Sequence, residues 1–224
     1  MTITETDPQP EEAPTLDRLH RCGVIPVVTI DRVEDALPLG EALLAGGIPC
    51  AEVTFRTPAA PAALSALSSG HPNLLVGAGT VVTVEQARTA IDSGGRFVVC
   101  PGYDEDIVQW CLARDVPVLP GVMTPTEVMR AVRTGLDTVK FFPAEAAGGV
   151  TALEAIGAAF PSVRFVPTGG IGPGNLGSYL RLPAVMACGG SWLVSRGLIA
   201  TGDFKGITDL ARRAGRIVQE VRGE

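Results

Sequence analysis

Lysine is almost missing from this 224-residue sequence: of 18 basic residues only Lys140 and Lys205 are lysine, and the rest are arginine. Positive charge is also outweighed, with a formal net charge of -6 and a sequence pI near 5.0. That balance excludes a broad basic field for nucleic acid or an anionic membrane and leaves only local positive groups for small anions. Histidine occurs twice, as His20 and His71, in a helical and a polar stretch. Neither belongs to a cluster with zinc-ligand spacing, and a lone Glu52 or Glu145 makes a poor magnesium site, so no metal is expected. The five cysteines, Cys22, Cys50, Cys100, Cys111 and Cys188, contain no C-x-x-C pair. Their odd number and scatter fit reduced, mostly buried thiols, and a cytoplasmic location is expected. No apolar run is long enough to cross a bilayer. The opening MTITETDPQPEEAP lacks the apolar stretch of a secretory signal, and residues 1–13 are expected to form a flexible acidic tail.

What the chain does have is core material: 46% hydrophobic and 19% charged residues, with a mean hydropathy of +0.29. β-branched or apolar runs alternate with helical stretches from end to end. The strand candidates are Val24–Ile30, Pro49–Phe55, Leu74–Gly79, Arg96–Pro101, Val116–Pro120, Thr138–Pro143, Val163–Thr168 and Ala184–Gly189. Several intervening helical segments end at glycine, where a helix C-terminus favours a left-handed residue. Pro38 is expected in the first turns of its helix or at a kink. Eight β-then-α units predict a single-domain (β/α)8 TIM barrel over residues 14–224, slightly under the usual size of about 250 residues. An open doubly wound sheet would want a glycine-rich turn after the first strand, and VIPVVTIDRVED has none. GAGTVV, from Gly77, lacks the third glycine of the dinucleotide fingerprint.

Barrel chemistry comes from the C-terminal ends of strands and the loops after them. In TVKFFP, alternation puts Thr138, Lys140 and Phe142 on one face and the apolar Val139 and Phe141 on the other, which turns Lys140 inward. A buried ammonium is costly, and such a lysine can have its pKa drawn down to about 7 to 8, making a nucleophilic amine. The competing reading is a core lysine neutralised by a carboxylate. In CAEVTFRT the same alternation puts Glu52, Thr54 and Arg56 on one face. Glu52 is then a general acid/base and Arg56 a fork for a carboxylate, provided the strand ends between them and the loop folds Arg56 back. The alternative is a Glu52–Lys140 salt bridge with Arg56 exposed. Two glycine-rich turns, PTGGIGPGN and CGGSW, follow the seventh and eighth strand candidates, where barrels commonly cradle a phosphate on backbone N–H groups. Trp110 and Trp192 fall in helical segments and read as core.

The runs AEVTFRT, GAGTV, CPG, VPVLPGVMTPTE, VKFFPAEAAGGV, PTGGI and GGSWLV resemble the KDPG/KHG family of class I aldolases, in order, from about Leu16 to the C-terminus. The resemblance implies cleavage of 2-dehydro-3-deoxy-6-phosphogluconate to pyruvate and D-glyceraldehyde 3-phosphate in the Entner–Doudoroff pathway. It implies that Lys140 forms a Schiff base with the C2 carbonyl and that Glu52 shuttles protons. Arg56 and Thr80 would hold the pyruvate carboxylate, and Pro101 and Phe142 would line its pocket. Thr168 would contact the substrate, with Gly169, Gly170, Gly190 and Ser191 taking the phosphate. It further implies a homotrimer with no metal or organic cofactor. Cys100 stands where serine is common, beside the pocket, and Phe55 where leucine is common.

Sister activities on the galactonate epimer or on 4-hydroxy-2-oxoglutarate share the lysine and the carboxylate clamp. A phosphate-binding barrel of the thiamine-phosphate synthase kind would keep the glycine turns, but has no use for an interior lysine beside Glu52. A non-catalytic sugar-phosphate sensor would bind without forming an imine.

Overall fold

A computed structural model describes residues 14–223, so the expected tail, 1–13, lies outside the described residues. The alternation read from the sequence is realised: α1 (Thr15–Cys22), β1 (Val24–Val28), α2 (Ala36–Ala45), β2 (Cys50–Thr54), α3 (Ala60–Gly70), β3 (Leu75–Gly79), α4 (Val84–Asp92), β4 (Val98–Val99) and α5 (Glu105–Leu112) come first. They are followed by β5 (Val118–Leu119), β6 (Gly121–Val122), α6 (Pro125–Arg133), β7 (Thr138–Phe141), α7 (Gly149–Ala159), β8 (Arg164–Pro167), α8 (Leu176–Leu180), β9 (Cys188–Gly190), α9 (Arg196–Ala200) and α10 (Phe204–Arg222).

The strands form two parallel arcs, one ordered β5-β4-β3-β2-β1-β9 and the other β6-β7-β8. This differs from the expected continuous sheet of eight strands. The fifth expected strand ends at Pro120, but an unexpected strand, β6, follows at once; Pro120 has no N–H to give a ladder, so β5 pairs with β4 while β6 pairs with β7. Between β8 and β9 only the parallel bridges Phe165 to Val185 and Thr168 to Gly189 are made.

Register decides which side chains face one another. Val27, Glu52 and Gly77 are aligned across β1, β2 and β3, and Gly121, Lys140 and Val166 across β6, β7 and β8. The alternate positions, such as Val28, Val53, Ala78, Val98, Val139 and Phe141, are all buried. Helix starts are tied down close behind the strand ends. Thr83 accepts the Gln86 N–H at α4, Asp104 the Ile107 N–H at α5, and Thr124 with Glu127 closes a capping box at α6. Pro38 is the third residue of α2, in the first turn, where its missing N–H breaks no helical bond. No described helix is long and apolar enough to cross a membrane.

Gly77 is required by packing: a Cβ there would lie 2.5 Å from the ring of Phe97, which is fully buried. Gly77→Ala is therefore expected to cost about 1 to 3 kcal/mol through overpacking, read as a lower denaturant midpoint at unchanged m-value.

Candidate active site

Lys140 is the third residue of β7 and only 4% exposed, with its backbone N–H bound to Pro120 O at 2.9 Å. Its Nζ lies 3.5 Å from Glu52 Oε1 and 5.2 Å from the centre of the Phe142 ring. Glu52 is 2% exposed, and its Oε1 has no hydrogen-bond partner. The ammonium and carboxylate are thus in ionic contact without a well-formed hydrogen bond. Gly79 makes room for this carboxylate, since a Cβ there would fall 2.0 Å from Glu52 Oε1 and 2.5 Å from Glu52 Cγ. The GAG run that fails as a nucleotide fingerprint therefore has a steric task, visible only once β2 and β3 are side by side.

Two features of a purely structural ion pair are present: the Glu52–Lys140 contact itself and an exposed Arg56. Two buried charges, however, justify their desolvation structurally only when further hydrogen bonds satisfy them. An orphaned oxygen beside a buried amine fits proton transfer to a group arriving at Nζ better than it fits stability.

The condition set for Arg56 is met. β2 ends at Thr54, Arg56 N–H turns back to Thr54 O at 2.8 Å, and Arg56 Nε donates to Thr80 Oγ1 at 3.1 Å. Thr80 holds a left-handed φ of +56°, strained for a β-branched residue. Below them the buried Thr54 hydroxyl donates to Val28 O and accepts from Thr29, both at 2.9 Å. Alternation placed Thr54 inward, but nothing in the sequence announced this link to Thr29.

Pro101 ends the β4 stretch against Gly121, where a Cβ would lie 2.2 Å from Pro101 O. Gly121 pairs with Lys140, so Pro101 is brought next to the lysine's strand. Cys100 was expected beside the pocket, and its thiol lies within electrostatic reach of both Lys140 and Glu52. It shares the face of Val98, which aligns with Ala78 and not with Gly77 or Gly79, so it points away from the face that carries Lys140. Burial first, then the neighbouring Cys111, push its thiol up to about 12, against the pull of Lys140.

Thr168 is buried, and its hydroxyl occupies the space a Cβ at Gly189 would need, 2.2 Å away. After it, Gly169 and Gly170 take left-handed φ values of +105° and +78°. The carbonyls of this turn are engaged: Thr168 O by Ala144 N–H at 2.8 Å, Gly169 O by Glu145 N–H at 3.0 Å, Gly170 O by Asn175 Nδ2 at 3.2 Å. The Gly169 N–H lies at the bridge to Gly189, whereas the N–H groups of Gly170 and Ile171 have no backbone acceptor among the described residues. Gly190 closes β9, followed by the exposed Ser191. Asn175, which also accepts the Gly172 N–H at 2.8 Å, was not foreseen as a support of this turn.

Both histidines bond backbone carbonyls outside the site, His20 at Met186 O and His71 at Leu37 O. Trp110 and Trp192 are half-buried against the core. Among the described residues no group of three or more histidine, cysteine, aspartate or glutamate side chains could hold a metal ion. A cavity of about 270 Å³, lined by Leu16, Val116, Val118 and Thr138 among others, lies at the N-terminal ends of β5 and β7, opposite the chemistry.

The sequence matches the family model of KDPG and KHG aldolases over residues 16–210. The chain is 50% identical over 202 residues to the 2-dehydro-3-deoxy-phosphogluconate aldolase of Treponema pallidum, covering 90% of this chain and 96% of that one. It is 44% identical to the KHG/KDPG aldolase of Escherichia coli K12, covering 85% and 90%. Among solved structures, the KDPG aldolase of Legionella pneumophila, with pyruvate captured as a covalent carbinolamine, superposes with a TM-score of 0.87 at 42% identity, covering 91% and 98%.

The thiols titrate in opposite directions. Burial raises Cys100 and Cys111, the latter to about 11, and raises Cys188 further. The half-buried Cys22 is lowered, first by a hydrogen bond with Cys50 and more weakly by Arg18 and Arg222. Iodoacetamide at pH 8 is therefore expected to label Cys22 and spare Cys100 in the folded protein, because only the thiolate reacts. Peptide mass spectrometry reads the outcome, and prompt labelling of Cys100 would contradict its buried, protonated state.

Proposed function

We propose how this chain works from one premise: it belongs to the KDPG and KHG aldolase family. It is an aldolase, a carbon–carbon lyase that cleaves 2-dehydro-3-deoxy-6-phosphogluconate to pyruvate and D-glyceraldehyde 3-phosphate. The observation that carries the mechanism is the buried Lys140 amine 3.5 Å from a Glu52 oxygen with no other partner.

In the proposed sequence Lys140 Nζ attacks the C2 carbonyl to give a carbinolamine, and Glu52 moves the protons by which water leaves and the iminium forms. The iminium is the electron sink for breaking C3–C4. Glu52 takes the proton of the C4 hydroxyl as the aldehyde departs, and the enamine left on Lys140 is protonated and hydrolysed to pyruvate. The pyruvate carbinolamine captured in the Legionella relative supports this route. Since the lysine nitrogen supplies the sink, no metal or organic cofactor is assigned. Arg56 and Thr80, already joined at 3.1 Å, would hold the carboxylate at the rim. Pro101 and Phe142 would wall the pyruvate, Thr168 would touch the substrate further along, and Gly169, Gly170, Gly190 and Ser191 would take the phosphate. The free Gly170 and Ile171 N–H groups of the glycine turn support that last assignment.

Residues 14–224 are read as one catalytic domain whose arcs complete a (β/α)8 barrel, supported by the continuity of chain through Pro120 and by the bridges from β8 to β9. A homotrimer is inferred as well, with the exposed Met129 and Val132, one turn apart on α6, offering apolar surface for it. A cytoplasmic location is inferred too, supported by the acidic composition and the free thiols of the described residues.

Borohydride reduction with pyruvate is expected to leave a pyruvyl adduct on Lys140, seen by peptide mass spectrometry, and an unmodified Lys140 in folded protein would exclude imine chemistry. Lys140→Ala is expected to abolish turnover, and Glu52→Gln to lower kcat on the order of 10² to 10⁴. Gly79→Ala, which displaces the Glu52 carboxylate, should lower it on the order of 10². The sister activities differ at the distal end of the substrate. Cleavage should depend on the 6-phosphate, and equal kcat/KM for 4-hydroxy-2-oxoglutarate would favour the hydroxy-oxoglutarate reading.

A further inference from the structure

Glu145 is the last residue of the KFFPAE run, and neither the imine chemistry nor the carboxylate clamp uses it. Its position is nonetheless highly constrained. Its backbone N–H holds Gly169 O at 3.0 Å. Its side chain lies across the left-handed Gly170, where a Cβ would meet Glu145 Cγ at 2.6 Å and Glu145 Cβ at 2.7 Å. Its Oε1 accepts a hydrogen bond from the hydroxyl of Tyr179 on α8, the helix that follows the glycine turn. Tyr179 is fully buried, so its hydroxyl needs a partner, and Glu145 is the one it has among the described residues. The glycine turn is thus clasped between the segment that leaves Lys140 and the helix that comes after the turn.

We propose that Glu145, anchored by Tyr179, is a positioning residue for the phosphate end of the substrate: it fixes the Gly169–Gly170 turn with the Gly170 and Ile171 N–H groups free for the anion. This rests on the phosphate assignment made above. Charge is the wrong explanation for Glu145, because a carboxylate beside a bound phosphate repels it. Its shape and its acceptor oxygen are what the turn uses, and glutamine keeps both.

Three variants, Tyr179→Phe, Glu145→Ala and Glu145→Gln, separate these roles. Each is assayed by steady-state cleavage of the 6-phosphorylated substrate, by competitive inhibition with inorganic phosphate, and by borohydride capture of pyruvate on Lys140. Tyr179→Phe and Glu145→Ala are expected to raise KM for the phosphorylated substrate and Ki for inorganic phosphate about tenfold. Their kcat should change less than about twofold, with pyruvate capture intact. Glu145→Gln should stay near wild type or bind phosphate slightly better. Equal loss of kcat and pyruvate capture would make Glu145 a support of the whole fold and overturn the proposal. Unchanged KM and Ki in Tyr179→Phe and Glu145→Ala would overturn it too, as would a Glu145→Gln as impaired as Glu145→Ala. A wild-type enzyme indifferent to the 6-phosphate and uninhibited by phosphate would instead remove the phosphate assignment itself, and with it the ligand this residue is said to serve.

Discussion

The burial of one lysine beside one carboxylate is the constraint on which the remaining architecture of the site depends. Water is excluded from both groups, so their mutual distance of 3.5 Å, set by β2 and β7 on opposite arcs, decides whether they attract, exchange a proton or disrupt the core. Everything near them makes room for that pair. Gly79 leaves out the side chain that would strike Glu52 Oε1, and the strand beside Lys140 narrows to glycine at position 121, where Pro101 presses in. Cys100 is turned out of the way, its thiol kept protonated by burial. A core built for stability alone would fill these places with apolar side chains, and would gain from it.

A second layer holds the ends of the strands still. The caps at Thr83, Asp104 and Thr124 fasten helix starts a few residues beyond the strands they follow, and the Thr29–Thr54 link ties β1 to β2 just below the Arg56 turn. Such loops are short, their backbone groups are mostly spoken for, and the side chains they carry are correspondingly confined. The strained Thr80 touches the group proposed to grip substrate.

The stretch from Lys140 to Glu145 joins the two ends of the site. Lys140 stands at the position proposed for the imine, Phe142 beside its amine, and Ala144 and Glu145 bind the carbonyls of the glycine turn. One short segment therefore relates the reacting carbon to the far end of the ligand with little backbone freedom between them. This is an economical way to make the length of the substrate matter.

Much of this was legible in the sequence, for identifiable reasons. Alternation in TVKFFP and CAEVTFRT is strict enough that only one face of each strand suits packing, so Lys140 and Glu52 had to turn inward, and the motifs carried the family. The scarcity of lysine made its one interior position conspicuous. Other features had no local signal. The direction of Cys100 is one, because it follows a strand of only two residues and its face is set by the neighbouring ladder. The split at Pro120 was hidden because a proline next to apolar residues reads as a strand end, whereas here the same chain changes partner strands. Gly79, Asn175 and Tyr179 act on residues distant in the chain, and a glycine, an amide or a phenol says nothing by itself about what it will meet. The sequence alone determined which residue types face inward, because that follows from the two-residue period of a strand. Only the tertiary structure decided which of them touch, because contact between strands depends on register, and register is a property of the assembled sheet.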